Sequence, residues 1–447
     1  MDSRLKVAVV VPHIGLGGGA RKSATVIAEA LSERFDTVIL TLREKRAKRV
    51  WRTFGGRVES LAVPWRIKGR GLRAAWARAT RHLRMARALA AYCREQQIDV
   101  VVGVLTNTGI ALSRVLYRNP AAVILSVRNN PQGYEFKRAA VLLPFYRAAV
   151  TALYRRADAV VAITRQLQQV LEQRYKVSNA VTIYNMYASV LPKQIPASQN
   201  RGTPLDNAVT ADDPATSIPG VEPDEQVFIT VGRMSRQKGH MHLVRAFGLV
   251  ADQMPKVKLV IVGDGLLRRE VEHIREASGL TDRVILLGTR HDVGQLLSKA
   301  DLFVFSSLWE GFGLSLLEGL ECGLPVISAD CPAGPREILA PELALEDELT
   351  YPYFGSYGVL TPHIGTYRRP DELADLPVLE GERGLADAML RFAREPAAFK
   401  RYAEAHRRVE DFRYQSIGPQ WCRLVQNVHD HRIRRGDDGA LQRERRA

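Results

Sequence analysis

Several hallmarks of secreted and membrane-spanning proteins are scarce or missing in this sequence of 447 residues. It has only four cysteines, without the paired spacings that bind zinc or frame a disulfide-stapled domain. No run approaches the roughly 18 apolar residues of a membrane-spanning helix, and the first strand-like run begins at Lys6, which leaves no room for a signal peptide. We therefore expect a protein of the reducing cytoplasm.

Acidic residues are scarce in the first half of the chain. Residues 1–200 contain 33 Lys and Arg against 11 Asp and Glu, whereas residues 201–447 contain 31 against 37. The imbalance is greatest in 43–94, where 16 basic residues face only Glu44 and Glu59. A surface of one charge attracts partners of the opposite charge, so the first half should meet an anionic partner.

Short apolar runs rich in β-branched residues alternate with helical patterns in two series. The first series is 6–12, 37–42, 99–105, 122–127 and 159–164, and the second is 227–232, 257–263, 283–288, 301–306 and 324–329. Such runs are typical of strands buried on both faces of a parallel sheet. The sequence therefore predicts an α/β protein with two doubly wound, Rossmann-like domains.

The composition also suggests where these domains begin and end. We predict a basic N-terminal domain over 1–195, a linker or loop rich in Pro, Gly, Asp, Thr and Ser over 196–225, a second domain over 226–416 with an irregular insertion near 341–380, a crossover helix over 417–432, and a disordered tail over 433–447. The tail is assigned as disordered because it offers nothing to bury.

Glycine-rich turns follow the first strand of the first domain and the second strand of the second. They contain Gly17, Gly18 and Gly19 in one case and Gly263 and Gly265 in the other. Glycines at such places let backbone N–H groups approach an anion at a helix N-terminus. The first turn matches neither a P-loop nor a dinucleotide fingerprint, and either turn could serve backbone geometry alone.

Charged residues follow two strands of the second domain. Arg233 and Lys238 lie five positions apart on a strand-to-helix turn, where they could converge on a diphosphate or form a solvated basic loop. Further on, Glu310 lies in a loop before a helix that starts near Leu314, and Glu318 lies one turn inside that helix. Either glutamate alone could be a partner of the helix dipole, but that does not explain both together with the intervening Gly-Phe-Gly.

Together these glycines, cations and the Glu-x7-Glu pattern resemble the retaining glycosyltransferases of family 4, which have the GT-B fold of two Rossmann-like domains facing a central cleft. Residues 323–339 are similar to the members that build bacterial surface glycans. The resemblance spans nearly the whole chain and is most specific in 227–340. It implies transfer of a sugar from a nucleotide-diphosphate sugar, most often a UDP-sugar, with retention of anomeric configuration and without a metal or other cofactor.

The resemblance also implies a role for each matching residue. It implies catalytic roles for Glu310, Arg233 and Lys238, and donor binding by Gly17, Gly18, Gly19, Arg233, Lys238, Gly263, Gly265, Phe312, Gly313, Leu314 and Glu318. Arg233 and Lys238 would neutralise the diphosphate, Glu318 would bind the ribose hydroxyls, and Glu310 would orient the sugar ring rather than attack it.

The acceptor side departs from the family pattern. Where many relatives have a histidine this chain has Arg128, Asn129 and Asn130, which could orient a sugar hydroxyl but not act as a general base. His13 and Asn185 complete the acceptor-side candidates, Asn185 as a hinge or contact residue.

The basic stretch 66–95 has the cationic and apolar faces of a helix that sits on an anionic membrane. Nucleic acid is the competing anion, but the stretch has few aromatics and no nucleic-acid motif. We therefore expect a peripheral enzyme on the inner face of the cytoplasmic membrane that extends a polyprenyl-diphosphate-linked glycan. A nucleotide-sugar epimerase and a non-catalytic glycan- or nucleic-acid-binding protein remain as alternatives.

Overall fold

The chain divides into two compact units. The computed structural model describes residues 4–11, 19–41, 56–61, 63, 80–104, 107–128, 143–191 and 218–444. Unit 1 comprises Met1–Met186 and Asp411–Ala447, and unit 2 comprises Tyr187–Glu410. Each unit contains one sheet with helices, which is the doubly wound α/β architecture that the sequence predicts.

Unit 1 is built on a seven-stranded sheet in the order β3-β2-β1-β4-β5-β6-β7, with all neighbours parallel. The strands are β1 (Lys6–Val11), β2 (Asp36–Thr41), β3 (Arg57–Ser60), β4 (Val100–Val104), β5 (Ala122–Val127), β6 (Ala159–Ala162) and β7 (Ala180–Thr182). The described helices are α1 (Gly19–Ser32), α2 (Arg81–Glu95), α3 (Asn107–Tyr117), α4 (Leu143–Tyr154) and α5 (Arg165–Tyr175). All five apolar runs predicted as strands in this half are strands, and β4, β5 and β6 are buried throughout.

Unit 2 has a second seven-stranded sheet in the order β10-β9-β8-β11-β12-β14-β13, parallel except for the β13–β14 pair. Its strands are β8 (Gln226–Val231), β9 (Val257–Val262), β10 (Val284–Gly288), β11 (Leu302–Phe305), β12 (Val326–Ala329), β13 (Tyr353–Phe354) and β14 (Val359–Thr361). Its helices are α6 (His240–Ala251), α7 (Arg268–Ala277), α8 (Val293–Leu297), α9 (Leu314–Glu321), α10 (Pro335–Leu339), α11 (Pro370–Asp375) and α12 (Glu380–Arg394), with short 3₁₀ helices at Arg236–Lys238, Pro396–Tyr402 and Ala405–Phe412. The five strands predicted here are also confirmed.

The stretch 341–380 is more than the insertion that the sequence predicts, because part of it completes the sheet of unit 2. Strand β14 pairs in parallel with β12 and is fully buried, and β13 pairs with β14. Tyr351 and Arg336 both donate hydrogen bonds to Asp330, which fixes the start of this stretch beside β12. Strands of two and three residues are too short to show a hydrophobic period, so the pattern could not reveal them.

The last helix, α13 (Tyr414–Glu444), is longer at both ends than predicted, and it continues through residues 433–444, where the sequence predicts disorder. Helix backbone hydrogen bonds are internal, so a segment rich in strong helix formers such as Ala, Leu, Gln, Arg and Glu can continue a helix without burying a face. The earlier turns of α13 are anchored: Trp421 and Val425 are buried in the unit 1 core with Ile27 and Leu31 of α1. No helix among the described residues is both long and apolar enough to cross a membrane.

The boundary between the units also differs from the predicted one, since unit 2 begins at Tyr187 instead of after the linker. Glu321 of α9 accepts hydrogen bonds from the hydroxyl of Tyr187 at 2.7 Å and from the backbone N–H of Val190 at 2.9 Å. This carboxylate therefore fixes 187–190 to unit 2 before the linker begins. Of the predicted linker, 196–217 lies outside the described residues.

A buried ionic cluster joins α6 to α12 in unit 2. Glu382 is fully buried; its Oε1 is 2.7 Å from His242 Nδ1 and 3.1 Å from Arg245 Nε. The backbone N–H of Leu379 donates to Oε2 at 2.9 Å. Burial alone would raise the pKa of Glu382, but these hydrogen bonds and the charge of Arg245 hold that pKa below its ordinary value.

We predict that Glu382→Gln lowers the free energy of unfolding at pH 7 by about 3 kcal/mol, because it leaves Arg245 without its buried counter-charge. Because the folded pKa of Glu382 is depressed, the wild-type advantage is complete above the unfolded pKa and is lost as the pH falls through the lower, folded pKa. Urea unfolding from pH 7 to pH 3 measures this. Glu404→Gln, which removes an exposed pair with Arg407, serves as the control and should change stability by less than about 0.5 kcal/mol. A loss of unfolding free energy in Glu382→Gln that stays constant from pH 7 to pH 3 would contradict the stabilising role of the ionised Glu382 carboxylate.

Candidate functional site

Two loops meet at the carboxyl edge of the unit 2 sheet. The lysine turn, residues 232–239, follows β8, and the glutamate loop, residues 306–313, follows the neighbouring strand β11. The backbone N–H of Leu308 donates to the carbonyl of Gln237 at 2.8 Å, and Ser306 Oγ donates to the carbonyl of Lys238 at 3.0 Å. Segments about 70 residues apart in the sequence therefore form one site, at the edge where open α/β sheets bind ligands.

The centre of this site is an ion pair between Lys238 and Glu310. Lys238 Nζ lies 2.7 Å from Glu310 Oε1, and the two side chains are only 18% and 7% exposed. Ser307 Oγ also donates to Oε1, at 2.7 Å, and Gln237 Nε2 donates to Oε2 at 3.0 Å. Because an ammonium group has three donors, Lys238 can bind an anion without releasing Glu310.

The second predicted cation, Arg233, follows β8 and is exposed. Among the described residues it has no ion-pair or hydrogen-bond partner, so its guanidinium can form a bidentate contact with an anion. Arg236 on the same turn differs, since it stacks 4.6 Å from the ring centroid of Tyr367. In the described ranges no group of three His, Cys, Asp or Glu side chains could hold a metal ion.

The glycine turn after β9 packs directly against the lysine turn. A Cβ atom on Gly263 would lie 2.0 Å from the carbonyl oxygen of Gly232, and one on Gly265 would lie 2.2 Å from that of Met234. Real Cβ atoms never approach so closely, so both positions need glycine. Gly263 and Gly265, which the sequence predicts to bind the donor, pack against the lysine turn and so fix the position of Arg233 on that turn.

The glutamate loop runs into the N-terminus of α9. Phe312 is buried, Gly313 is the N-cap residue, and Leu314 is the first residue of the helix. Glu318 is half-buried one turn inside α9, as the sequence predicts. The hydroxyl of Ser315 in the first turn is buried with no hydrogen-bond partner in the described part of the chain. A helix N-terminus carries a partial positive charge and unpaired N–H groups, so this end of α9 suits an anion.

Sequence reasoning missed several residues that shape the site. Gln237 and Ser307 hold the carboxylate of Glu310, and His363 Nε2 lies 2.8 Å from the carbonyl oxygen of Leu308. Polar residues are common in loops, so Gln237 and Ser307 give no signal of their own. His363 and Tyr367 lie in the irregular stretch 341–380, which no periodicity connects to the glutamate loop.

The acceptor-side candidates belong to unit 1, and two of them meet. Arg128 follows β5 and Asn185 lies three residues after β7, and Arg128 Nη1 donates to Asn185 Oδ1. Both residues are buried, at 8% and 7% exposure, and burial lowers the pKa of Arg128 to about 10. His13, Gly17, Gly18, Asn129 and Asn130 lie outside the described residues, and Gly19 is the first residue of α1.

Both halves of the chain match models of known protein families. Residues 215–345 match the family model described as glycosyl transferases group 1, and residues 18–185 match a glycosyl transferase 4-like domain. An uncharacterized glycosyltransferase of Methanocaldococcus jannaschii is 32% identical over 336 residues, which are 75% of this chain and 78% of that protein.

Two further relatives match over a shorter stretch. One is the Campylobacter jejuni N-acetylgalactosamine-N,N'-diacetylbacillosaminyl-diphospho-undecaprenol 4-alpha-N-acetylgalactosaminyltransferase, 32% identical over 26% of this chain and 30% of that enzyme. The other is the Escherichia coli UDP-Gal:alpha-D-GlcNAc-diphosphoundecaprenol alpha-1,3-galactosyltransferase, 35% identical over 27% of this chain and 32% of that enzyme.

Solved structures share the fold over nearly the whole chain. Anabaena HepE in complex with UDP and glucose superposes with a TM-score of 0.66 at 17% identity, covering 95% of this chain and all of HepE. Sucrose-phosphate synthase of Thermosynechococcus elongatus superposes with a TM-score of 0.70 at 19% identity, covering 96% of this chain and all of that structure. At these identities the likeness establishes the fold alone.

Proposed function

This chain belongs to the group 1 glycosyltransferases and has the GT-B fold, and from that premise we propose that it moves a sugar from a nucleotide-diphosphate sugar to a glycan acceptor. The observation that carries the proposal is the Lys238–Glu310 pair, which holds a cation for a leaving phosphate beside a carboxylate for the sugar. Family membership favours transfer over the epimerase and the non-catalytic alternatives.

The donor diphosphate would bind at Lys238, Arg233 and the N-terminus of α9. Charge builds up on the leaving nucleotide as the glycosidic bond breaks, and cations and N–H groups fixed in advance stabilise that charge. We propose that these groups take the place of a metal ion. The nucleotide would be UDP, which is consistent with the UDP bound to HepE, and Glu318 would accept hydrogen bonds from the ribose hydroxyls.

Glu310 would orient the sugar. Its Oε1 already accepts two hydrogen bonds, from Lys238 and Ser307, whereas Oε2 accepts one, from Gln237. A carboxylate oxygen accepts about two, so Oε2 retains capacity for one sugar hydroxyl. Three donors also reduce the nucleophilicity of this carboxylate. We therefore propose that retention arises from acceptor attack on the leaving-group face, with Glu310 as a positioning carboxylate and the leaving phosphate as the proton acceptor.

The acceptor would be a glycan linked to a polyprenyl diphosphate. The names of the Campylobacter and Escherichia relatives both contain a diphosphoundecaprenol-linked acceptor, and the excess of basic residues in 1–200 suits an anionic membrane surface. We propose a peripheral enzyme on the inner face of the cytoplasmic membrane that extends such a glycan for a surface polysaccharide or glycoconjugate.

The test combines purified protein, UDP-sugars and undecaprenyl-diphosphate-linked N-acetylglucosamine in anionic vesicles, with EDTA in one arm. From an α-linked donor we expect an α-linked product by NMR coupling constants, the same rate in EDTA, and protein that sediments with the vesicles. A β-linked product would overturn retention, and loss of activity in EDTA would overturn metal independence. Transfer to soluble acceptors alone would overturn the lipid-linked substrate.

A further inference from the structure

Arg128 is a buried cation for which the described residues supply no counter-charge. Its Nη1 donates to Asn185 Oδ1, which belongs to a neutral amide, and its buried Nε has no hydrogen-bond partner. No carboxylate in the described ranges forms an ion pair with it. The contrast with Arg114 in the same unit is direct, because Arg114 makes two hydrogen bonds to the carboxylate of Asp158.

A buried guanidinium without a counter-charge lowers the free energy of unfolding. Removing a guanidinium from water requires a compensating anion or a full set of hydrogen bonds. Burial lowers the pKa of Arg128 to about 10, so the side chain is still charged at neutral pH. A buried charge for which the described residues supply no counter-ion is explained when a ligand supplies the anion.

Arg128 lies at the edge of the unit 1 sheet where a ligand would bind. It follows β5, and Asn185 follows β7, so both stand at the carboxyl edge of the unit 1 sheet, where ligands of open α/β sheets bind. Nε and Nη2 lie on one edge of the guanidinium plane and form a two-donor fork that matches two phosphate oxygens. Nη1 is held by Asn185, which sets the orientation of that fork.

We propose that Arg128, oriented by Asn185, binds a phosphate group of the acceptor substrate. This inference rests on the proposed function, in which unit 1 receives the acceptor. A lipid-linked diphosphate and a soluble sugar phosphate present the same phosphate oxygens to the fork, so both fit this chemistry.

Inorganic pyrophosphate is the probe, and the cations of unit 2 should bind it as well. Calorimetric titrations therefore compare the wild type, the unit 2 variant Arg233→Met/Lys238→Met, and that variant with Arg128→Met added. We expect two sites in the wild type and one in the unit 2 variant. Arg128→Met should weaken the remaining site by about ten- to a hundredfold. No remaining site, or an unchanged one after Arg128→Met, would overturn the proposal.

Thermal unfolding separates binding from a structural role. Replacing Arg128, which has no counter-charge among the described residues, by methionine should leave Tm unchanged or raise it, while pyrophosphate binding at this site is weakened. A lower Tm with undiminished binding would instead make Arg128 a support for Asn185 and overturn the proposal. If Arg128→Met does not fold, Arg128→Lys, which keeps the charge but loses the fork, should weaken the site, and unchanged binding would again overturn it.

UDP binding tests the proposed function independently of the role of Arg128. UDP should bind the Arg128→Met variant as it binds the wild type; if UDP binds neither, the donor site fails while the pyrophosphate result still decides the role of Arg128. Undecaprenyl phosphate and N-acetylglucosamine 1-phosphate distinguish the two sources. Arg128-dependent binding of either one supports the phosphate site and the tighter one names the source, whereas Arg128-independent binding of both contradicts it.

Discussion

Replacing Lys238 with methionine is expected to lower kcat for sugar transfer by about 10³-fold. The side chain is held 2.7 Å from Glu310 and supplies positive charge where the leaving phosphate would develop its negative charge. Steady-state transfer at saturating donor measures the loss. Lys256→Met is the matched control in the same unit, since Lys256 pairs with Asp224 on an exposed surface and should leave kcat unchanged.

The same substitution leaves the nearly buried carboxylate of Glu310 without its counter-charge. We therefore expect Lys238→Met to lower the free energy of unfolding by about 1–3 kcal/mol. Adding Glu310→Gln should recover most of that stability without recovering activity. Activity that returned with stability would show that the pair has only a structural role.

Gly334→Ala is expected to lower kcat/KM by about 10²-fold, although Gly334 lies outside the ion pair. Its φ is +111°, and a Cβ atom there would lie 1.8 Å from the carbonyl oxygen of Phe312. Backbone cannot yield as a flexible side chain does, so the glutamate loop must move away from its position before α9. The backbone N–H groups of Gly313 and Leu314, which we propose bind the donor, would move with it.

The control for backbone conformation is Gly279→Ala. Gly279 also has a positive φ, +65°, but no heavy atom lies within 4 Å of the added Cβ. It should cost about 1 kcal/mol of stability through strain and leave kcat/KM unchanged. Equal kinetic effects from the two substitutions would contradict the role assigned to the close contact at Phe312.

Much of the fold can be predicted from the sequence because buried parallel strands have a strong local pattern of apolar residues. The runs at β1 and β9 each contain five apolar residues out of six, so each predicts its strand without knowledge of its neighbours. Strand β3 contains Arg57 and Glu59, and β14 has three residues, so each depends on its pairing partner and shows no pattern of its own. Short strands of this kind are specified by tertiary contacts.

The candidate site can also be predicted from the sequence only in part. The two loops follow strands, and the resemblance names Lys238 and Glu310, but their direct pairing depends on β8 and β11 being neighbours, which sequence does not state. The Arg128–Asn185 contact likewise joins the ends of β5 and β7. Residue types can be predicted one loop at a time, whereas partners 57 or 72 positions apart require the strand order.

Calorimetric titration with UDP shows whether the lysine turn and the glutamate loop form a nucleotide-sugar donor site. We predict one UDP site in the wild type and in Lys256→Met, with binding at least about tenfold weaker in Lys238→Met. UDP that binds Lys238→Met as tightly as the wild type, or that binds none of the three proteins, would contradict the account.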